Sequence, residues 1–158
     1  MLSAEGAEHR ERVRAEWADE GGALAPAYAV VIFDHAIDVL YEWIGLGPAY
    51  RIATGCSTFT LETHLSQDRP VPAGEDVLVR NRILAVDAKR MHIAQEMFRP
   101  GQGTRAAVME QLSIHVDLQA RRSAPFPPDR LGVIREAIGL LSTVPEPAGI
   151  GHAVSFAS

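Results

Sequence analysis

One long segment of this sequence would be apolar around almost its whole circumference if it formed a helix. Apolar residues recur at helical spacing between Pro26 and Gly45, and Pro26 suits the first position of a helix. The polar residues fall four positions apart on one narrow stripe: Asp34, Asp38 and Glu42. A helix of about 19 residues is nearly 30 Å long at 1.5 Å per residue. Because most of its surface has to be covered by other parts of the chain, we predict a central helix wrapped by a sheet.

The rest of the sequence supplies strands for such a sheet. Alternating apolar and polar residues predict a short first strand over 12–17, ahead of the helix. Four segments rich in strand-forming residues follow the helix, over 58–65, 76–86, 91–99 and 104–118. A short amphipathic helix is predicted over 129–141, and we expect the tail over 145–158, which lacks periodicity, to be disordered. This order of elements predicts an α+β architecture, an antiparallel sheet curled over one helix.

The length of 158 residues fits one domain, with enough chain to bury about two-thirds of its surface. We predict a single domain over 1–158 with a core over about 12–131. The net charge of −5 argues against a nucleic-acid partner, although a small anionic ligand could still find a local basic pocket.

The sequence also bears on where the protein works. The N-terminal 13 residues lack the apolar run of a secretory signal, and no apolar stretch near them is long enough to span a membrane. Cys56 is the single cysteine, so it forms no internal disulfide and has no second thiol for a structural zinc site. We therefore expect a cytoplasmic protein without a membrane partner.

Several motifs carry a resemblance to a known family. The turn Asp19-Glu20-Gly21-Gly22 resembles the Asp-x-x-Gly turn of 4-hydroxybenzoyl-CoA thioesterases, and 33–36 is similar to a helix segment of related acyl-CoA thioesterases. The stretches 60–64, 87–92 and 110–117 resemble a branch associated with carnitine and betaine catabolism. By this resemblance the chain is identified as a hot-dog fold acyl-CoA thioesterase, in which a sheet wraps a central helix.

The resemblance implies an activity and an assembly. Such an enzyme hydrolyses a CoA thioester to the free acid and CoA, needs no cofactor apart from the CoA of its substrate, and forms a homodimer or a dimer of dimers with the active site between subunits. The branch suggests a small polar acyl group such as betainyl. The alternative is a non-catalytic acyl-CoA-binding relative, because many members have a His and an Asn where this sequence has Ala23 and Ala25.

Asp19 is the predicted catalytic carboxylate. Beside a glycine turn and a helix N-terminus it would stay ionised, and it could attack the thioester carbonyl or orient a water molecule against it. The backbone N–H groups of Gly22 and Ala23 are predicted to polarise the carbonyl oxygen, since the end of a helix favours negative charge. The alternative is that Asp19 is only a turn or capping residue.

Glu62 and His64 are second candidates for the catalytic site. They lie two apart in a predicted strand, so their side chains share one face and could meet the helix end of a partner subunit. The alternative is that both face water. The remaining histidines are scattered without a metal-binding spacing, so no metal site is predicted.

Two pairs of basic residues are candidates for binding the phosphates of CoA. Lys89-Arg90 and Arg121-Arg122 are dense positive pairs in an acidic chain, and arginine offers a planar fork to phosphate. Surface solvation is the alternative role of these pairs. The sequence has no Gly-x-Gly-x-x-Gly motif, Walker loop or Gly-x-Ser-x-Gly elbow, which disfavours nucleotide chemistry of those kinds and the serine-hydrolase route.

Overall fold

The computed structural model describes residues 2–151. Its α-helices are α1 (Pro26–Trp43), α2 (Pro48–Thr54) and α3 (Pro128–Leu140). Its strands are β1 (Glu8–Arg12), β2 (Cys56–Gln67), β3 (Asp76–Val86), β4 (Arg90–Phe98), β5 (Arg105–Asp117) and β6 (Arg122–Ser123). Within this part of the chain, no helix is both long and apolar enough to cross a membrane.

The five longer strands form one antiparallel sheet in the order β1-β3-β4-β5-β2, and β6 pairs with β5. The sheet therefore ends in β1 on one side and in β2 on the other. Because β2 has 12 residues and only β5 as a neighbour, one full side of its backbone lacks a partner strand within residues 2–151.

Helix α1 packs on one face of this sheet, as its apolar circumference predicts. Its fully buried residues are Ala29, Ile32, Phe33, Ala36 and Leu40, whereas Asp34, Asp38 and Glu42 are exposed. The helix begins at Pro26 and ends just before Gly45, whose φ of 74° suits a glycine at a helix end. The predicted α+β architecture, with a curled antiparallel sheet around a central helix, is confirmed.

A row of buried amide side chains fastens α1 to the sheet. The Asn81 side chain donates to the carbonyl of Ala36 at 2.8 Å, and Gln95 donates to the carbonyl of Phe33 at 2.9 Å. Gln95 also donates to Asn81 Oδ1 at 2.7 Å, and Gln111 donates to Gln95 Oε1 at 3.1 Å. Since buried amides need partners, this network specifies how the helix sits across β3, β4 and β5.

Strands β3, β4 and β5 lie within one residue of their predicted bounds, and β2 extends two residues beyond its predicted bounds at each end. The two-residue β6 was not predicted, and the first strand differs from its prediction. The prediction of a strand over 12–17 is wrong: β1 is Glu8–Arg12, and Ala15–Trp17 is a short 3₁₀ turn. The chain leaves the sheet after Val13, which makes one last backbone bond to Glu75, and then bends so that Trp17 stacks on Tyr28 of α1. Burial of that indole therefore overrides the local alternation of apolar and polar residues.

The C-terminal segment runs back over the sheet. The carbonyls of Pro145 and Ala148 accept hydrogen bonds from Arg82 and Arg105, each at 2.7 Å. The Gly151 amide donates to the carboxylate of Glu110 at 2.9 Å. The rest of the predicted disordered tail, 152–158, lies outside the described residues.

Candidate active site

The turn before α1 folds around the carboxylate of Asp19. Its Oδ1 accepts the N–H of Gly21 at 2.9 Å and the N–H of Ala23 at 3.1 Å. The Gly22 N–H donates to the carbonyl of Asp19 at 3.0 Å, and Gly22 has the positive φ of 82° that this tight turn requires. The Gly22 and Ala23 amides, predicted as carbonyl-polarising donors, are therefore both bound within the turn.

The N-terminus of α1 lies directly after this turn. The Ala25 N–H donates to the carbonyl of Trp17 at 3.0 Å, and the Leu24 N–H donates to the carbonyl of Val71 at 2.7 Å. The first bond holds the two ends of the turn together, and the second ties the turn to the segment that follows β2. Pro26 has no N–H, so the first amide of α1 is that of Ala27, which lacks an intrahelical partner by the geometry of the helix.

Asp19 lines a cleft of about 300 Å³ at this end of the molecule. Its other walls come from the residues at the start of α1 and just before it, and from the end of β2 and the segment that follows: Ala23, Leu24, Pro26, Gln67, Asp68, Arg69 and Pro70. The Asp19 side chain is exposed, so a water molecule or a ligand can reach it. The fold thus places an accessible carboxylate between a helix N-terminus and the end of an edge strand.

Glu62 and His64 do not join Asp19 within one chain. The side chain of Thr63, between them, shares a face with Gln111, whose amide belongs to the network beneath α1. Since side chains alternate along a strand, Glu62 and His64 lie on the opposite face, away from α1. Both are exposed, and His64 Nε2 is 3.4 Å from Ser66 Oγ.

The other strand histidines have structural partners. His115 is buried, with the Tyr50 hydroxyl 2.8 Å from its Nε2 and the carbonyl of Ala124 2.9 Å from its Nδ1. His92 Nε2 lies 2.6 Å from an oxygen of the buried Glu110. These contacts fasten β5 to its neighbours, which agrees with a structural role for both rings.

The two predicted basic pairs meet at the opposite end of the sheet from Asp19. Lys89 lies in the turn between β3 and β4, and its Nζ donates to the Ser123 hydroxyl at 3.1 Å. Ser123 is paired with β5 next to Arg122, and Arg121 precedes them with a φ of 55°. Arg90, the other member of the first pair, forms an ion pair with Asp87 at 2.7 Å. The two pairs, Lys89-Arg90 and Arg121-Arg122, are distant in sequence but lie together at this end of the sheet, which we call the basic end.

An apolar groove of about 420 Å³ lies beside Arg121 and Arg122. Its walls include large apolar side chains with unusual exposure, among them Phe59 at 61%, Leu61 at 47% and Leu118 at 50%. An apolar patch of this kind on a protein surface commonly marks a binding or assembly surface.

A larger cleft of about 600 Å³ follows the polar stripe of α1. Asp34, Asp38 and Glu42 contribute three carboxylates to its lining, and Arg51 contributes one positive charge. Burial raises the pKa of Asp38, and the charge of Asp34 raises it further, against the opposing effects of His35 and Arg51. The cleft thus has an excess of negative charge.

This acidic cleft was not predicted from the sequence, although the polar stripe on α1 was. The opposite wall consists of polar residues of β2, namely Ser57, Thr58 and Thr60. The cleft could have been predicted from two features together. One is a polar stripe on an otherwise buried helix, and the other is a strand with hydroxyl side chains that faces it.

Comparison with known proteins places the chain in a family. The thioesterase-like superfamily matches residues 13–138. A betainyl-CoA thioesterase of Pseudomonas aeruginosa is 38% identical over 141 residues, which are 89% of each chain. An L-carnitine dehydrogenase/betainyl-CoA thioesterase of Agrobacterium fabrum is 32% identical over 120 residues, which are 76% of this chain and 24% of that longer protein.

Solved structures share the fold. A Staphylococcus aureus protein in complex with CoA superposes with a TM-score of 0.86 at 24% identity, over 94% of this chain and 93% of that one. A 1,4-dihydroxy-2-naphthoyl-CoA thioesterase of Synechocystis gives a TM-score of 0.72 at 17% identity, over 82% of this chain and 95% of that one. The family match over residues 13–138 and the 38% identity to a betainyl-CoA thioesterase establish that the chain belongs to the thioesterase-like superfamily and is a hydrolase of thioester bonds.

Proposed function

We propose that this chain hydrolyses betainyl-CoA to betaine and free CoA, with Asp19 as the catalytic carboxylate. The observation that carries the proposal is the position of Asp19, an exposed carboxylate in a cleft at the N-terminus of α1. The 38% identity to a betainyl-CoA thioesterase over 89% of the chain supports the choice of substrate.

Asp19 can act in either of two ways. As a general base it takes a proton from a water molecule while the water oxygen bonds to the thioester carbonyl carbon. As a nucleophile it bonds to that carbon itself and forms an anhydride, which water then hydrolyses. In both routes the C–S bond breaks and the departing CoA sulfur takes up a proton. The two turn amides on Oδ1 orient the carboxylate and leave the lone pairs of Oδ2 for this chemistry.

The oxyanion that develops on the substrate needs a donor. Because the Gly22 and Ala23 amides already bind Asp19, the first amide of α1, that of Ala27, is the better candidate. An amide at this position also carries the favourable end of the helix dipole. This arrangement requires no polar side chain at the positions of Ala23 and Ala25, where many relatives have a histidine and an asparagine.

The acidic cleft on α1 suits the acyl group of this substrate. A betainyl group carries a quaternary ammonium, which has no N–H to donate and is recognised by negative charge and aromatic faces. Asp34, Asp38 and Glu42 supply negative charge in a cleft of about 600 Å³, and Tyr41 contributes an aromatic ring to its lining. A neutral acyl group would gain nothing from these carboxylates.

The Asp19 cleft and the acidic cleft lie toward opposite ends of β2. We propose a homodimer because pairing of two subunits would bring these clefts together. Gln67 lines the first cleft, and Ser57, Thr58 and Thr60 line the second. A strand of 12 residues is about 35 Å long. If two β2 edges pair antiparallel about a twofold axis, the Gln67 end of one subunit lies beside the Cys56 end of the other. Each Asp19 cleft then adjoins the acidic cleft and basic end of the partner.

Turnover of betainyl-CoA, followed with a thiol reagent, tests the proposal. We expect release of free CoA by the wild-type protein, and a loss of at least about 100-fold in kcat for Asp19→Asn, since a catalytic carboxylate has been removed. The asparagine keeps an acceptor for the two turn amides, so the turn should remain folded. Glu20→Gln, the loss of a neighbouring exposed carboxylate, is the matched control and should be close to wild type.

Two outcomes would contradict the proposal. Absence of CoA release from betainyl-CoA and from other short acyl-CoAs, with binding retained, would favour the non-catalytic acyl-CoA-binding alternative. Unchanged turnover by Asp19→Asn would assign the chemistry to another residue.

A further inference from the structure

His9, Glu11 and His35 lie together between β1 and α1, outside the clefts described above. His9 and Glu11 are two positions apart on β1, so their side chains share one face. Their partners on β3 are Val79 and Val77, which are buried in the core beneath α1, so this is the face that carries the helix. The fold brings His35 of α1 to that face from 24 positions later in the sequence.

The donor atoms of the three side chains form a compact group. Glu11 Oε2 is 2.9 Å from His9 Nε2 and 2.9 Å from His35 Nδ1. One donor atom of each residue lies within 4.8 Å of the others. The two imidazole rings meet edge to face, with their centroids 6.3 Å apart. Two ring nitrogens and a carboxylate oxygen therefore already surround one point.

From this geometry we propose that His9, Glu11 and His35 bind a divalent transition-metal ion. Zinc bonds of about 2.0–2.2 Å to nitrogen and oxygen place neighbouring ligand atoms of a tetrahedral site about 3.3 Å apart. The two distances to Glu11 Oε2, 2.9 Å each, would need to lengthen by only a few tenths of an ångström, and the two ring nitrogens already lie within 4.8 Å of each other. Two imidazoles and one carboxylate are a donor set that suits Zn²⁺, Fe²⁺, Co²⁺ or Ni²⁺, in contrast to the all-oxygen sites preferred by Mg²⁺ and Ca²⁺.

The surroundings are compatible with an ion. The side chains of His9, Glu11 and His35 are 21%, 14% and 41% exposed, so the site is sheltered yet open to a water molecule as a further ligand. Arg12, the neighbour of Glu11 in sequence, is paired with Asp76 at 2.9 Å.

The ion would have a structural role. It would join the edge strand β1 to the central helix α1, next to Trp17, whose ring lies 6.5 Å from that of His35. Trp17 leads directly into the Asp19 turn, so the site would stabilise the base of that turn. No metal site was predicted from the sequence, because His9 and His35 lie far apart along the chain and only the fold brings them together.

Isothermal titration of the purified, metal-free protein with Zn²⁺ tests the proposal. We expect one ion per chain, and at least about tenfold weaker binding by His9→Ala, Glu11→Gln and His35→Ala, each of which removes or weakens one ligand. His64→Ala, which removes an exposed histidine near Ser66, is the matched control and should bind as wild type does. Mg²⁺ should give no comparable heat.

A second readout does not depend on how well the ligand variants fold. Cu²⁺ should quench the fluorescence of Trp17 in a Trp43→Phe background, where Trp17 is the single tryptophan. Prior addition of Zn²⁺ in large excess over Cu²⁺, which is needed because Cu²⁺ binds such ligands more tightly, should reduce this quenching. If wild-type protein takes up no Zn²⁺, or if the three ligand variants bind it as wild type does, the three side chains form only a hydrogen-bonded contact and the proposal is overturned.

Discussion

At the scale of single residues, Asp19 acquires its position from its own turn. Its carboxylate binds the amides of Gly21 and Ala23, and both bonds would persist with an asparagine at this position. The sequence motif was enough to predict where this carboxylate lies. It was not enough to predict that the turn consumes the Gly22 and Ala23 amides, because that depends on the path of the backbone through a glycine of positive φ.

The charge of the acidic cleft leads to a prediction about specificity. Asp38→Asn should lower kcat/KM for betainyl-CoA by about tenfold, equivalent to about 1.4 kcal/mol, because a desolvated cation loses one charged partner. The same variant should leave hydrolysis of 3,3-dimethylbutyryl-CoA unchanged, since that acyl group has the same shape with a neutral carbon in place of the nitrogen.

Two steady-state assays with these substrates measure the difference. Glu16→Gln, an exposed carboxylate outside the cleft, serves as the control. An equal loss on both substrates would mean that Asp38 acts through folding or packing. Equal wild-type activity on both substrates would reject recognition of the cation while leaving the thioesterase activity intact.

At the scale of elements, the bounds of helices and strands were predicted most accurately where the element buries many of its side chains. Strands β3, β4 and β5 bury most of their central side chains, and their predicted bounds differ from those observed by at most one residue at each end. Helix α2, Pro48–Thr54, was missed because it buries none of its residues, so no apolar period marks it in the sequence. The bounds of β1 were missed because the burial of Trp17 is a tertiary contact.

The turn between β3 and β4 makes stability depend on pH. Burial acts to raise the pKa of Asp87, but hydrogen bonds from the backbone of Lys89 and from Arg90 outweigh it and lower the pKa below its ordinary value. A carboxylate with a lowered folded pKa stabilises the fold at pH values above its unfolded pKa, near 3.9, and this contribution is lost as the pH falls through the folded pKa.

Replacement of Asp87 by Asn should therefore lower the free energy of unfolding by about 1 kcal/mol at pH 7 and by progressively less as the pH falls below 4. Urea denaturation of both proteins at pH 7, 5 and 3.5 measures this difference. Asp117→Asn is a useful comparison, because Asp117 also accepts two backbone amides in a turn but, within residues 2–151, forms no ion pair with an arginine. A pH-independent difference for Asp87→Asn would mean that its charge has no part in holding the turn.

At the scale of the whole molecule, the parts of the proposed site are divided between the two ends of one strand. The Asp19 cleft lies at the Gln67 end of β2, and the groove with Arg121 and Arg122 lies at the end with Phe59. The sequence indicated which residues could bind CoA, but their distance from Asp19 depends on the fold. In a dimer paired through β2, the open edge of the strand would be covered and the two ends would meet.

Mixed dimers test this division of the site. In a dimer of one Asp19→Asn subunit and one subunit with Arg121→Ala and Arg122→Ala, a site shared between subunits leaves one of the two sites wholly wild type. Such a dimer, purified through two different affinity tags, should have about half the wild-type kcat/KM on betainyl-CoA, although each parent homodimer has far less. If Asp19 worked with the arginines of its own chain, both sites of the mixed dimer would be damaged and its activity would not exceed the mean of the two parents. Masses from light scattering and melting temperatures of all three dimers would show that assembly and folding are unchanged, so that recovery to about half, or its absence, reports only how the site is divided.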